Sequence, residues 1–247
     1  MQQPALKLIS LNIELNQHYE TVLSFLRKEQ ADIVCLQEVL ESDMPRLDEA
    51  TGMRGAFAVM SQASAPQTVL RGVPRGATFG IALFVRVSAV FSTGYYFGDA
   101  TNIPQEQNDN QEKNLMLLRA AFSHQGKEYC VGTTHFTWTS DGSVSEVQRT
   151  DIRVLLAVLA RTPEIVFCGD FNAPRGGEIW AKLATRYQDN IPKEYHSSLD
   201  PHLHRLLDSK KLVVDGLWST PAYRVSGVRL VEGVSDHKAV VGFIERV

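Results

Sequence analysis

Apolar residues are arranged in two patterns along this chain. Residues 5–13 (ALKLISLNI), 32–39 (DIVCLQEV) and 164–171 (EIVFCGDF) are apolar almost throughout. Runs of that length fit strands buried on both faces. Between them the spacing becomes helical. In 18–30, Val22, Leu23, Phe25 and Leu26 fall on one face, and 145–162 and 177–187 show the same period. The segments 78–86 and 89–97 read as neighbouring strands. Residues 114–124 and 127–138, joined by Gln125-Gly126, read as a hairpin, and 212–220, 223–231 and 238–246 as closing strands. About ten strands and four helices in mixed order predict an α/β protein. The expected architecture is a four-layer sandwich, with two packed mixed β-sheets flanked by helices in one domain over 1–247. The stretches 61–77, 98–113 and 188–205 are left as long loops, which in compact domains are often functional.

Composition narrows this picture only a little. The chain has 247 residues, 44% of them hydrophobic, with a net charge of −3. That supports a substantial core and removes the bulk positive charge of a polyanion binder. The opening residues MQQPALKLIS fit neither a signal nor a transit peptide, and no apolar run is long enough to span a bilayer. The expectation is a soluble cytoplasmic protein with no membrane span and no obligate protein partner. Cys35, Cys130 and Cys168 are odd in number and lack zinc spacing, so they read as buried thiols of a reducing compartment.

Chemistry enters where strands give way to loops. The motifs LNIE (11–14), LQEV (36–39), TTHFTW (133–138), GDFNAP (169–174) and SDHKA (235–239) lie at such junctions, while VVDGLW (213–218) lies within a strand. Polar groups at the carboxyl ends of strands in α/β proteins face the ligand crevice. The set comprises Asn12, Glu14, Glu38, His135, Asp170, Asn172, Asp215, Asp236 and His237. Hydrolysis of a phosphodiester needs a cation against the phosphate oxygens, a base to aim a water, and donors for the developing charge. Carboxylates and an amide oxygen suit Mg²⁺ or Mn²⁺. Glu38 is the expected direct metal ligand, with Asn12, Glu14 and Asp236 beside it. Asp170 is the expected base, with Asn172 beside it. His237 is expected to bind a phosphate oxygen while Asp215 holds its other ring nitrogen, and His135 to donate to phosphate or to the leaving oxygen.

In this order the motifs resemble the endonuclease/exonuclease/phosphatase superfamily, which includes exonuclease III-type abasic endonucleases, DNase I, neutral sphingomyelinases, inositol polyphosphate 5-phosphatases and tyrosyl-DNA phosphodiesterase 2. The resemblance runs from SLNIE (10–14) to SDHKAVV (235–241). It implies a DNase I-like four-layer fold, a divalent metal and phosphoester hydrolysis, with nucleic acid the leading substrate class. Asn12 and Glu38 match the metal-site amide and glutamate, Asp170 and Asn172 the GDxN pair, and Asp236 and His237 the terminal pair. Asp215 matches the acid behind that histidine. Glu14 stands where many members carry aspartate, and DGLW replaces the commoner D-Y/H-I-F. His135 belongs to the TH motif of the DNase I and sphingomyelinase branches, which speaks against an abasic-site role. A small-molecule or lipid-headgroup esterase is the alternative, and an inactive binding module on the same fold a second one.

Several residues keep two readings. His202 and His204 could form a His-x-His metal pair, or Asp200, His204 and Arg205 could shape the substrate rim. Arg175 is the leading phosphate contact among the arginines, ahead of Arg71 and Arg75. A basic groove of these three with Arg205 would favour nucleic acid. Trp138 and Trp218 could stack bases or simply pack.

Overall fold

The computed structural model describes residues 5–64, 71–106, 113–140, 142–205 and 212–247. Parts of the stretches 61–77 and 98–113 lie outside them. Thirteen strands and four α-helices occur among the described residues, in two sheets. In chain order they are β1 (Leu6–Asn12), α1 (Tyr19–Glu29), β2 (Ile33–Leu40), a 3-10 turn (Glu41–Asp43), α2 (Met44–Thr51), β3 (Gly55–Ala63), β4 (Thr78–Val85), β5 (Val90–Phe97) and β6 (Gln105–Glu106). Then come β7 (Leu115–His124), β8 (Lys127–His135), α3 (Glu146–Ala160), β9 (Val166–Asp170), α4 (Glu178–Ala184), β10 (Gln188–Asp189), β11 (Asp215–Ser219), β12 (Tyr223–Val231) and β13 (Ala239–Arg246). The seven-stranded sheet runs β12-β13-β1-β2-β4-β3-β6 and the six-stranded sheet β10-β11-β9-β8-β7-β5.

Each sheet holds one parallel pair joined by a helix, β1-α1-β2 in one and β8-α3-β9 in the other. The long apolar runs are explained by burial on both sides. Leu8, Ile33 and Cys35 face the core between the sheets, and Ile9, Val34 and Leu36 face the layer under α1 and α2. A helical crossover makes its two strands parallel, so their carboxyl ends emerge together. Asn12 ends β1, His135 ends β8 and Asp170 ends β9.

The structure corrects several expectations. β4 and β5 are not neighbours: β4 pairs with β2 and β3, and β5 is the edge strand of the other sheet, paired with β7. The short connection Arg86–Ala89 crosses between sheets, a choice that apolar pattern does not encode. Residues 41–63 hold α2 and β3, neither of which the sequence pattern predicted. The helix buries only Leu47, Ala50 and Thr51, and the first half of β3 is only partly buried, so both signals are weak. Asp215 opens β11 instead of lying inside a strand. Cys35 and Cys168 are buried, but Cys130 is only partly so.

One glycine sets the distance between the ends of β8 and β9. Gly169 pairs with Thr134, and His135 with Asp170. Gly169 has φ +144°, and a Cβ there would sit 1.9 Å from the Thr134 carbonyl oxygen. Gly169→Ala should therefore push β8 from β9 and cost about 3 kcal/mol. The check is the urea midpoint of the variant, and an unchanged midpoint would show that the strands relax freely.

Candidate active site

The two helix-connected parallel pairs, β1-β2 and β8-β9, meet at one end of the sandwich, and side chains from both sheets converge there. The Asn12 amide donates to Glu38 Oε1 at 3.3 Å and, across the sheets, to Asp170 Oδ2 at 3.2 Å. His135 Nε2 lies 3.5 Å from the same Asp170 oxygen and 4.0 Å from Glu38 Oε1. His237 Nδ1 meets Asp215 Oδ2 at 2.8 Å, and its Nε2 is 3.8 Å from Asp170 Oδ2. Asn172 donates its backbone N–H to Asp170 Oδ1 at 2.8 Å and its side-chain amide to the Phe136 carbonyl at 2.9 Å. Motifs up to 158 residues apart are thus in hydrogen-bond contact.

Local backbone strain aims several of these groups. Glu14, Glu38 and Asn172 have positive φ (48°, 55° and 48°) without being glycine. Such conformations are costly and cluster at functional sites. Glu38 does not end its strand as expected: it sits in a bulge of β2, where pairing with β4 slips between Leu36 and Val39. The extra residue turns its carboxylate toward the crevice.

Burial and charge tune the titrating groups. Burial pushes the Asp170 carboxyl above the ordinary aspartate range, despite the opposing charge of His237. Burial would lower His237, but the Asp215 and Asp170 carboxylates override it and hold the imidazole well above the usual histidine range. Burial draws His135 down. Burial would also raise Glu38, and the charges of His135, Lys113 and Arg71 outweigh it. Asp236 is pushed up to about 6, chiefly by burial, with Glu14 and Glu38 adding repulsion. Asp236 lies close enough to Glu14 and Glu38 to be repelled by both, and the charge of a divalent cation would relieve that repulsion. Two sets of groups have their ligating atoms within 4.8 Å of one another: Asp170, Asp215 and His237, and His204, Asp236 and His237.

Some expected residues turn out to be engaged elsewhere. Both Glu14 oxygens are taken, by His18 Nε2 at 3.0 Å and by Arg205 at 3.1 Å. The Asn12 side-chain oxygen accepts the Glu14 N–H at 3.1 Å, while its N–H₂ bridges Glu38 and Asp170. Arg175 is held by the loop at 191–195. Its guanidinium donates to the carbonyls of Ile191, Pro192 and Tyr195, so it binds a loop instead of a phosphate. His202 is exposed while His204 reaches the site, so the two do not pair. Trp218 is fully buried among Phe167, Phe171 and Trp180, whereas Trp138 is exposed.

Three further polar residues, of which only Gln37 lies within a quoted motif, support the site. The Ser198 hydroxyl, fully buried, accepts the N–H groups of Val214 and Asp215 and fixes the start of β11. Gln37 donates to Thr133 at 2.9 Å, joining the sheets below the site. Gln148, in the first turn of α3, donates to the carbonyls of Thr137 and Asn172 and holds both loops. A polar residue in a fully buried run, as Gln37 is, was the only available signal.

The sequence model of the Endonuclease/Exonuclease/phosphatase family matches residues 9–237. No curated protein matches the chain. Solved structures are similar across its length. An endonuclease/exonuclease/phosphatase from Beutenbergia cavernae superposes with a TM-score of 0.75 at 18% identity, covering 99% of this chain and 72% of the other. The human Nocturnin catalytic domain with bound sulfate gives 0.70 at 18% identity, covering 100% and 95%. A mannosyl-6-phosphatase of Bacteroides thetaiotaomicron gives 0.68 at 13% identity, covering 98% and 100%. At these identities the likeness shows a shared fold. Among the described residues, no helix is long and apolar enough to cross a membrane.

Proposed function

The chain belongs to the endonuclease/exonuclease/phosphatase family, and from that premise we propose that it hydrolyses phosphodiesters by in-line attack of water, using Mg²⁺ or Mn²⁺. The observation that carries this reading is the convergence of Glu38, His135, Asp170, Asp215 and His237 from both sheets into one crevice. Glu38 and Asp236 would hold the cation, with Asn12 and Glu14 supporting them from behind. When bound, the cation neutralises phosphate oxygens and lowers the barrier to attack.

The remaining roles belong to the chain's own residues. Asp170, raised by burial, orients and deprotonates the water. Asn172 fixes Asp170 through its backbone N–H and keeps a second amide proton for the water or phosphate. His237, held by Asp215, donates from Nε2 to a non-bridging oxygen. His135 donates a hydrogen bond beside it or to the leaving oxygen.

The substrate reading follows the arginines. Of the four that could have formed a basic groove, Arg175 is spent on loop carbonyls and Arg205 on Glu14. That favours a small phosphodiester over a long polyanion. A polynucleotide bound through six to ten phosphates would lose about 10³–10⁵ in affinity between 50 and 200 mM salt. A shallow salt slope is the expected result here, and a steep one would restore the nuclease reading.

The direct test is hydrolysis of bis-p-nitrophenyl phosphate. Activity should vanish with EDTA and return with Mg²⁺ or Mn²⁺. Glu38→Gln should weaken Mn²⁺ binding, read by calorimetry, by about tenfold or more. Full turnover in EDTA would rule out the metal.

A further inference from the structure

The segment 197–205 belongs to none of the strand-end motifs, yet its backbone is stitched to the last of them. Lys238 N–H donates to the Ser198 carbonyl at 2.7 Å, and Asp200 N–H to the Asp236 carbonyl at 2.8 Å. Leu199 and His237 form an antiparallel bridge. The buried Asp200 carboxylate then builds a turn. One oxygen accepts the N–H groups of His202 at 2.9 Å and Leu203 at 3.0 Å, and the other accepts Gly233 at 2.7 Å. His204 closes the turn onto the Asp200 carbonyl at 3.2 Å.

That turn delivers an imidazole to the crevice. The His204 ring stands edge-on to the His237 ring with centroids 6.0 Å apart. A His204 nitrogen lies within 4.8 Å of an Asp236 oxygen and a His237 nitrogen. His135 and His237 are buried, while His204 is only half-buried. It therefore stands where the cluster opens to solvent. Arg205 next to it ties the arm to Glu14 from β1's loop at 3.1 Å.

We propose that His204 is a further substrate-contacting residue, donating to an ester or phosphate oxygen next to the one His237 holds, and that Asp200 is the positioning residue that aims it. This rests on the phosphodiesterase reading and adds a specificity arm to the same crevice.

The experiment compares wild type, His204→Ala, Asp200→Asn and the double variant on bis-p-nitrophenyl phosphate with Mn²⁺. A lost hydrogen bond to a charged oxygen should lower kcat/KM of His204→Ala about 10- to 100-fold. Asp200→Asn should fall in the same direction, and the double variant should be no worse than His204→Ala, since both remove one contact. In parallel, inorganic phosphate with Mg²⁺ should move the proton NMR signal of the His204 ring, assigned by its absence in His204→Ala. Mn²⁺ affinity should be unchanged in that variant. A loss of Mn²⁺ affinity would instead make His204 a metal ligand and overturn the proposal, as would an active wild type matched by His204→Ala. An inactive wild type would overturn the hydrolase reading itself.

Discussion

Replacing Asp170 by asparagine is expected to lower phosphodiester hydrolysis by about 10²- to 10⁴-fold, the span of a positioned general base, with little change in stability. The carboxylate is 1% exposed. Burial already disfavours its charge, so a neutral amide of the same shape removes an energetic cost at that position. The bond from Asn172 N–H to Oδ1 survives in the variant because an amide oxygen still accepts. The contact with the Asn12 amide is lost, which offsets part of the gain. The check is single-turnover hydrolysis together with urea unfolding. An active Asp170→Asn enzyme would move the base to another residue, and His135 would be the next candidate.

His237→Ala should do the opposite to stability. Asp215 is 2% exposed, and its carboxylate oxygen lies 2.8 Å from the His237 ring nitrogen. Removing the imidazole strands a buried charge, at a cost of about 3–5 kcal/mol. Each kcal/mol corresponds to about 2–4 °C in Tm for a protein of this size. Adding Asp215→Asn to the same variant should recover much of the loss, because no charge is then stranded. Both variants should be inactive, since neither can donate to phosphate. If His237→Ala melts like the wild type, the pair contributes nothing to the fold and Asp215 must find another partner.

These two predictions use residues that could be read from the chain, because each sits directly after a long apolar run or in a distinctive short motif. GDFN closes a fully buried strand and SDH comes just before another strand, and a charge at the mouth of a buried strand stands out. Glu38 was visible for the same reason, but its bulge was not, since a bulge depends on the partner strand β4. Gly169 showed as part of a motif, while its role as a spacer appears only against the Thr134 carbonyl. Arg175 follows GDFNAP by one residue and looked like a phosphate contact. The loop at 191–195 captures it, and nothing near position 175 announces that loop.

The sequence alone determined which stretches would be buried on two faces, the four-layer architecture they build, and the acids and imidazoles available at their ends. Tertiary structure decided which sheet β5 joins, that Asn12 and Glu14 brace their neighbours, and that His204 enters the crevice while His202 does not. The reason is physical. Apolar periodicity reports how each residue divides between water and core, which is a local property. A hydrogen bond such as the one between Asn12 and Asp170 depends on two backbones meeting across the sandwich, and that meeting is set by packing of the whole chain.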